Sequence, residues 1–150
     1  MKLPAKSQIE NWEHLPTIYR LMSENRWTLD YSRQWFKDFM KWLYTAMRSD
    51  VEKQTRFMMD GIHYLDDVWH AYILHTIDYM QMSRELFDVE IIHHTPENPF
   101  LQEPLADEVI IYQMGMLVED WGDEYVDRVW RYGADMYDII ESLTTENKVS

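Results

Sequence analysis

The sequence predicts an all-α fold: one single-domain bundle of about five or six helices, with an irregular, proline-containing loop after a long central helix. Three observations lead there. Only four Gly and five Pro interrupt 150 residues, too few breakers for a sandwich or barrel of short strands. Long side chains are abundant, with eleven Met, seven Trp and ten Tyr. Apolar residues also recur at helical spacing over long stretches. One domain of this length is large enough to bury a real core.

Residues 8–24, "QIENWEHLPTIYRLMSE", read as one or two short helices interrupted near Pro16, because proline lacks the amide a helix interior uses. From Leu29 to Ser49, Trp35, Phe39, Trp42, Leu43 and Met47 form an apolar stripe, which predicts a core-facing helix capped by Thr28 or Asp30. "DVEKQTRFMMDG" predicts a short helix ended by Gly61. A long helix is expected over Ile62–Phe87. "DVEIIHHTPENPFLQEP" is expected to be irregular or extended, since its three prolines forbid a continuous helix. Two more helices are expected over 106–119 and 123–142, broken near Gly122, with a frayed tail at 144–150.

Composition narrows the chemistry. There is no cysteine, which excludes disulfides, thiolate nucleophiles, zinc fingers and iron–sulfur clusters. Any metal must be held through His, carboxylate, Tyr or water. The first residues lack the apolar core of a signal peptide, and no apolar run approaches the roughly 20 residues of a membrane span. A soluble, cytoplasmic protein is the expectation. The net charge of −13 is uneven: residues 1–75 hold 10 Lys+Arg and 10 Asp+Glu, whereas residues 76–150 hold 4 and 17. Direct nucleic-acid binding is not expected from such a chain. An acidic C-terminal half could meet a basic protein partner, or simply be a solvated surface.

Four of the six histidines lie between Tyr64 and Pro96. On a straight Ile62–Phe87 helix with His70 at zero, His63 falls at about +20°, Asp66 at about −40°, Asp67 at about +60° and Ile77 at about −20°. These residues share a face with Ile73 and Leu74, and that mixed face is expected to point inward. Asp66 and His70 are an i,i+4 pair, a workable pair of metal ligands. His75 lies about 140° away and Tyr79 about 180° away, so His70 and His75 do not serve one small site from a straight helix. Residues 70–86 span about 24 Å, and seven extended residues return about 23 Å. His93 or His94 therefore reaches His70 only if the helix stops early and the chain doubles straight back. The alternative is structural: Asp66 accepts a hydrogen bond from His70, and the His-Tyr-His set ties the helix to its loop.

The segment "LDDVWHAYILHTIDYMQMSRELF…IIHHTP" resembles the bacterial members of the glycine-rich domain-containing protein-like family. The likeness runs through Asp66, Val68, Trp69, His70, Ile73, Leu74, Thr76, Tyr79, Phe87, Ile92, His93, His94 and Pro96, and continues weakly through "YQMGMLVEDWGDEYVDRVW", covering residues 63–130. Ser83 stands where the family has Cys, Asp88 where it has Gly, and Trp121 displaces the hydrophobic residue before its second Gly. The resemblance implies a polar site without a defined reaction. Its candidates are Asp66, His70, His93 and His94 as ligands of a metal, with Tyr79 as an outer hydrogen-bonding residue and His75 optional. Ligands without sulfur suit Zn²⁺, Fe²⁺ or Mn²⁺. Whether such a site is an enzyme's, a hydrolase or an iron oxygenase, is open. The competing function is an acidic interaction module presenting Trp121, Tyr125, Trp130 and Tyr137, unless those aromatics line the core, as the spacing of Tyr125, Val129 and Tyr132 allows.

Overall fold

A computed structural model describes residues 1–51, 63–93 and 106–133. Among them the chain is all-α, with seven α-helices, slightly more than expected. They are α1 (Lys6–Asn11), α2 (Leu15–Asn25), α3 (Leu29–Val51), α4 (His63–Ile73), α5 (Thr76–Phe87), α6 (Asp107–Trp121) and α7 (Asp123–Val126). The last runs into a π-helical stretch, Asp127–Gly133. No described helix is long and apolar enough to cross a membrane. The expected helix ending at Gly61, the segment 94–105 and the chain beyond 133 lie outside the described residues.

Local signals place the first three helices. The Gln8 side chain accepts the Ala5 amide at 2.9 Å, half of a capping box at the start of α1. The break foreseen at Pro16 falls just before it, and Pro16 sits in the first turn of α2, where no amide is required. His14 caps α2: its ring accepts from the Thr17 amide at 3.3 Å. Of the two caps proposed for α3, Thr28 serves, accepting the Tyr31 amide at 3.2 Å.

α3 is the centre of the bundle, and α1, α2, α4 and α6 pack on it. Trp35, Phe36, Phe39, Met40, Trp42 and Leu43 are all buried. The expected stripe is therefore inside, though Met47 is only half-buried. Rings meet α4 along its length: Trp35 against Tyr64 at 4.9 Å, Trp42 against Trp69 at 5.2 Å and Phe36 against Tyr72 at 5.4 Å. Tilted and edge-on pairs at such distances are favourable beyond their area alone.

The C-terminal elements grip α3 through polar anchors. Trp121 donates its indole N–H to the Lys41 carbonyl at 2.9 Å. Asp120 accepts from Thr45 Oγ at 2.8 Å and from Arg48 Nε at 3.0 Å. Asp38 is fully buried and takes both arms of the Arg128 guanidinium, at 2.6 and 2.8 Å. Tyr125 donates to the Asp38 carbonyl at 2.7 Å. Burial, with Asp38 close by, raises the Tyr125 phenol well above its ordinary range, so it stays a donor. Lys41 lies over both the Trp121 and Tyr125 rings at 5.4 Å. Trp121 and Tyr125 thus face the bundle rather than present a recognition surface, and Trp130 is half-buried against it. Tyr137 lies outside the described residues.

Two expectations are overturned. The Ile62–Phe87 helix is two helices, broken at Leu74–His75. His75 leaves the helical region at φ −91° and ψ 65°. Its amide bonds back to the Tyr72 carbonyl at 3.0 Å, and Thr76 Oγ donates to the Ile73 carbonyl at 3.2 Å. No Gly or Pro marks this corner; contacts from α2 and between the two arms hold it. The face of Asp66 and His70 also points outward. α4 buries Tyr64, Leu65, Val68, Ala71 and Tyr72 instead, residues centred on the side opposite His70. His63 and His70 are exposed, as are Leu74 and Ile77. The three aromatic contacts with α3 decide the rotation, because Trp69 and Tyr72 carry more apolar area than Leu74 and Ile77 offer.

At the end of α5, Asp88 adopts the left-handed conformation, φ 53° and ψ 43°. Its amide bonds to the Arg84 carbonyl at 3.1 Å, and the Val89 amide to Ser83 at 3.3 Å, a helix ending that favours glycine. Asp88→Gly is expected to stabilise the protein by about 0.5–1 kcal/mol, read as a higher urea midpoint at unchanged slope. Tyr125→Phe removes a buried donor and is expected to cost about 1–2 kcal/mol in the same assay.

Candidate functional site: the corner between α4 and α5

The break at Leu74–His75 turns the chain between α4 and α5. Tyr72 and Tyr79 meet edge-on at 5.4 Å, and the Trp69 indole N–H donates to the Tyr79 hydroxyl at 2.9 Å. A straight helix would have held these two residues about 15 Å apart along its axis. Tyr79 in turn donates to the Ile92 carbonyl at 2.6 Å. Burial pushes the Tyr79 phenol well above its ordinary range while the Trp69 hydrogen bond pulls it down, so the hydroxyl is protonated and able to donate at any working pH. Ser83, also fully buried, accepts the Ile92 amide at 3.2 Å and donates to the Tyr79 carbonyl at 2.9 Å. Both backbone groups of Ile92 are therefore held by α5 side chains.

This relay has a geometric consequence. Trp69 precedes His70, and Ile92 precedes His93. Two consecutive hydrogen bonds through one phenol tie the Ile92 carbonyl to the Trp69 indole.

Asp66 and His70 form the expected i,i+4 pair, with Nε2 and Oδ2 3.6 Å apart. That separation is longer than a hydrogen bond. Their side chains are 39% and 57% exposed, so the pair is open to solvent and ligands. Asp67 beside them is half-buried. Burial and the neighbouring Asp66 push its carboxyl up, with Glu24 adding to the rise, while His63 and His70 pull it down. His93 is exposed, and His94 lies outside the described residues. Among the described residues, no three His, Asp or Glu side chains converge in a way that could hold a metal ion.

His75 and Tyr79 are separated by the fold. Tyr79 belongs to the relay, whereas His75 joins a second cluster built on His14. The His14 and His75 rings meet edge-on at 5.3 Å, and His14 stacks on Tyr72 at 4.9 Å. His14 Nε2 lies 2.8 Å from Asp78 Oδ2, and its Nδ1 lies 2.7 Å from Thr17 Oγ. Sequence reasoning missed His14. The available signal was its place just ahead of Leu15-Pro16, since a proline in the first turn marks the preceding residues as cap positions.

No protein-family model matches the chain, and neither a curated protein nor a solved structure matches it.

Tyr79→Phe leaves the Trp69 N–H and Ile92 C=O without their shared partner. It is expected to cost about 2 kcal/mol and to accelerate hydrogen exchange at Ile92 more than in α3. Asp67 supplies a pH test. A carboxyl raised by folding contributes stability in acid, which is lost as pH rises through its folded value. Asp67→Asn is therefore expected to raise the thermal midpoint at pH 7, with the gain vanishing below about pH 4.

Proposed function

We propose that the α4–α5 hairpin and the loop after it form a divalent-metal or small-ligand site. Asp66 and His70 supply the α4 side, and His93 and His94 supply the loop side. The observation that supports this reading is the Trp69–Tyr79–Ile92 relay, which ties the loop just before His93 to a side chain of α4 through one phenol. The outward Asp66–His70 pair, open to solvent, adds a carboxylate and an imidazole one helical turn apart. Oxygen and nitrogen donors of this kind suit Zn²⁺, Fe²⁺ or Mn²⁺. A bound ion there would supply Lewis acidity; the chain's own part is to tie the two arms together.

The resemblance to the bacterial glycine-rich domain-containing protein-like family supports the same set of residues. Asp88 stands where that family has Gly and occupies a left-handed conformation, the backbone for which glycine is favoured. Ser83 stands where it has Cys and works here as a buried hydrogen-bonding hydroxyl.

A second reading is favoured by the same hydrogen bonds: the relay is purely a clasp, and the protein acts as an acidic interaction module. Elemental analysis of untagged protein, beside His70→Ala and His93→Ala, separates the two. The expected result is one equivalent of transition metal in the wild type, lost from both folded variants. Wild-type protein that is metal-free and takes up no added Zn²⁺, Fe²⁺ or Mn²⁺ leaves only the clasp.

A further inference from the structure

We propose that His75 is a proton-operated latch: neutral, it clips α2 to the corner between α4 and α5, and protonated, it lets α2 go. The proposal goes beyond the metal reading and does not depend on it.

The donor directions carry the argument. Arg20 Nε–H points at His75 Nε2 from 3.4 Å, so that nitrogen presents its lone pair and the ring is neutral in this contact. His14 is held by its own partners. Its Nδ1 lies 3.3 Å from the Thr17 backbone N and 2.7 Å from Thr17 Oγ. Its Nε2 lies 2.8 Å from Asp78 Oδ2. The His14 and His75 rings thus sit edge to edge, with the Arg20 guanidinium beside His75.

The charged groups around His75 are already engaged. From α2 and its cap come His14 and Arg20, and Arg20 also holds Glu24 at 2.8 Å. From α5 comes Asp78, bound to His14. From α4, Tyr72 stacks under His14, and its hydroxyl accepts the Trp12 indole N–H at 3.1 Å. A proton on His75 Nε2 would set donor against donor and cation against cation at Arg20. Asp78 is the compensating carboxylate, and turning it to His75 would take it from His14. In either case an α2 contact to the corner is lost.

Burial, His14 and Arg20 hold the His75 imidazole below its ordinary range, with Asp78 opposing them. A histidine depressed by folding favours the fold above its unfolded value, about pH 6.5, and withdraws that contribution as pH falls. The corner it guards is the one that lets Tyr79 reach Trp69. The Tyr79 amide itself bonds to the His75 carbonyl at 2.8 Å.

Amide hydrogen exchange on the full chain tests this, corrected for intrinsic chemical exchange, from pH 7.5 to pH 5. The probes are Thr17, Ile18 and Tyr79, with Leu43 of α3 as the internal reference. Wild-type protection at the three probes is expected to fall relative to Leu43 as the pH is lowered. His75→Gln keeps an acceptor for Arg20 but cannot titrate, and is expected to show a flat ratio. Arg20→Gln removes the cation and is expected to blunt the fall. A flat wild-type profile overturns the latch, as does a full fall in His75→Gln. A fall in Arg20→Gln as large as in wild type also overturns it. Should His75→Gln not fold, the wild-type and Arg20→Gln profiles decide alone.

Discussion

α3 is buried on more than one side, and its most deeply buried ionisable group and several others on it are matched by side chains of whatever packs there, although the Ser32 and Ser49 hydroxyls are buried without a partner among the described residues. That matching organises the molecule. Asp38, with no exposed surface, could not be carried inside as a lone carboxylate. Arg128 meets it with two hydrogen bonds while the neighbouring Tyr125 fills the carbonyl of the same residue. Thr45 and Arg48 converge on Asp120, and Trp121 closes on Lys41. Apolar contact alone would let α6 and α7 slide along the aromatic surface. The polar anchors, each with a fixed donor and acceptor, select one register.

The same logic operates on the other side of α3 with a different outcome. There the aromatic contacts of Trp35, Phe36 and Trp42 choose which face of α4 goes in. That choice turns Asp66 and His70 to solvent. It also places the Trp69 indole N–H where it needs an acceptor, and Tyr79 supplies one only because the chain turns at His75. The clasp on Ile92 is thus a consequence of how α4 is seated. The histidines divide accordingly: His63, His70 and His93 are on the outside, while His14 and His75 share the seam between α2 and the corner.

The candidate site was legible in the sequence as a set of residue types and as a limit on reach. Asp66 and His70 are one turn apart in any helix, and their pairing follows. The return of His93 was a condition: the helix had to stop early. The helix is instead broken at Leu74–His75 and resumes to Phe87, and the break falls at a place without Gly or Pro, which local rules do not mark. His75 leaves the helical region while Arg20 and His14 press on it from α2. Sequence separations of about 55 to 61 residues lie between those partners, and no pattern within a helix reports them. The orientation of α4 was misjudged for a related reason. His70, Ile73, Leu74 and Ile77 look like a core stripe on one continuous helix, but the corner separates Ile77 from the rest and stronger aromatic contacts lie on the opposite face.

What the sequence determined by itself was whatever depends on neighbours within a few residues. This includes the all-α class, a cap at the start of α3, a break near Pro16, the buried stripe of α3 and the non-helical residues 88–93. Each follows from backbone hydrogen bonding or from a 3.6-residue period, which are local properties. The tertiary structure decided which apolar face wins, where an unmarked helix turns, and which partner a buried polar atom takes. Those outcomes rest on differences between competing packings of distant segments, and such differences exist only once the segments are together.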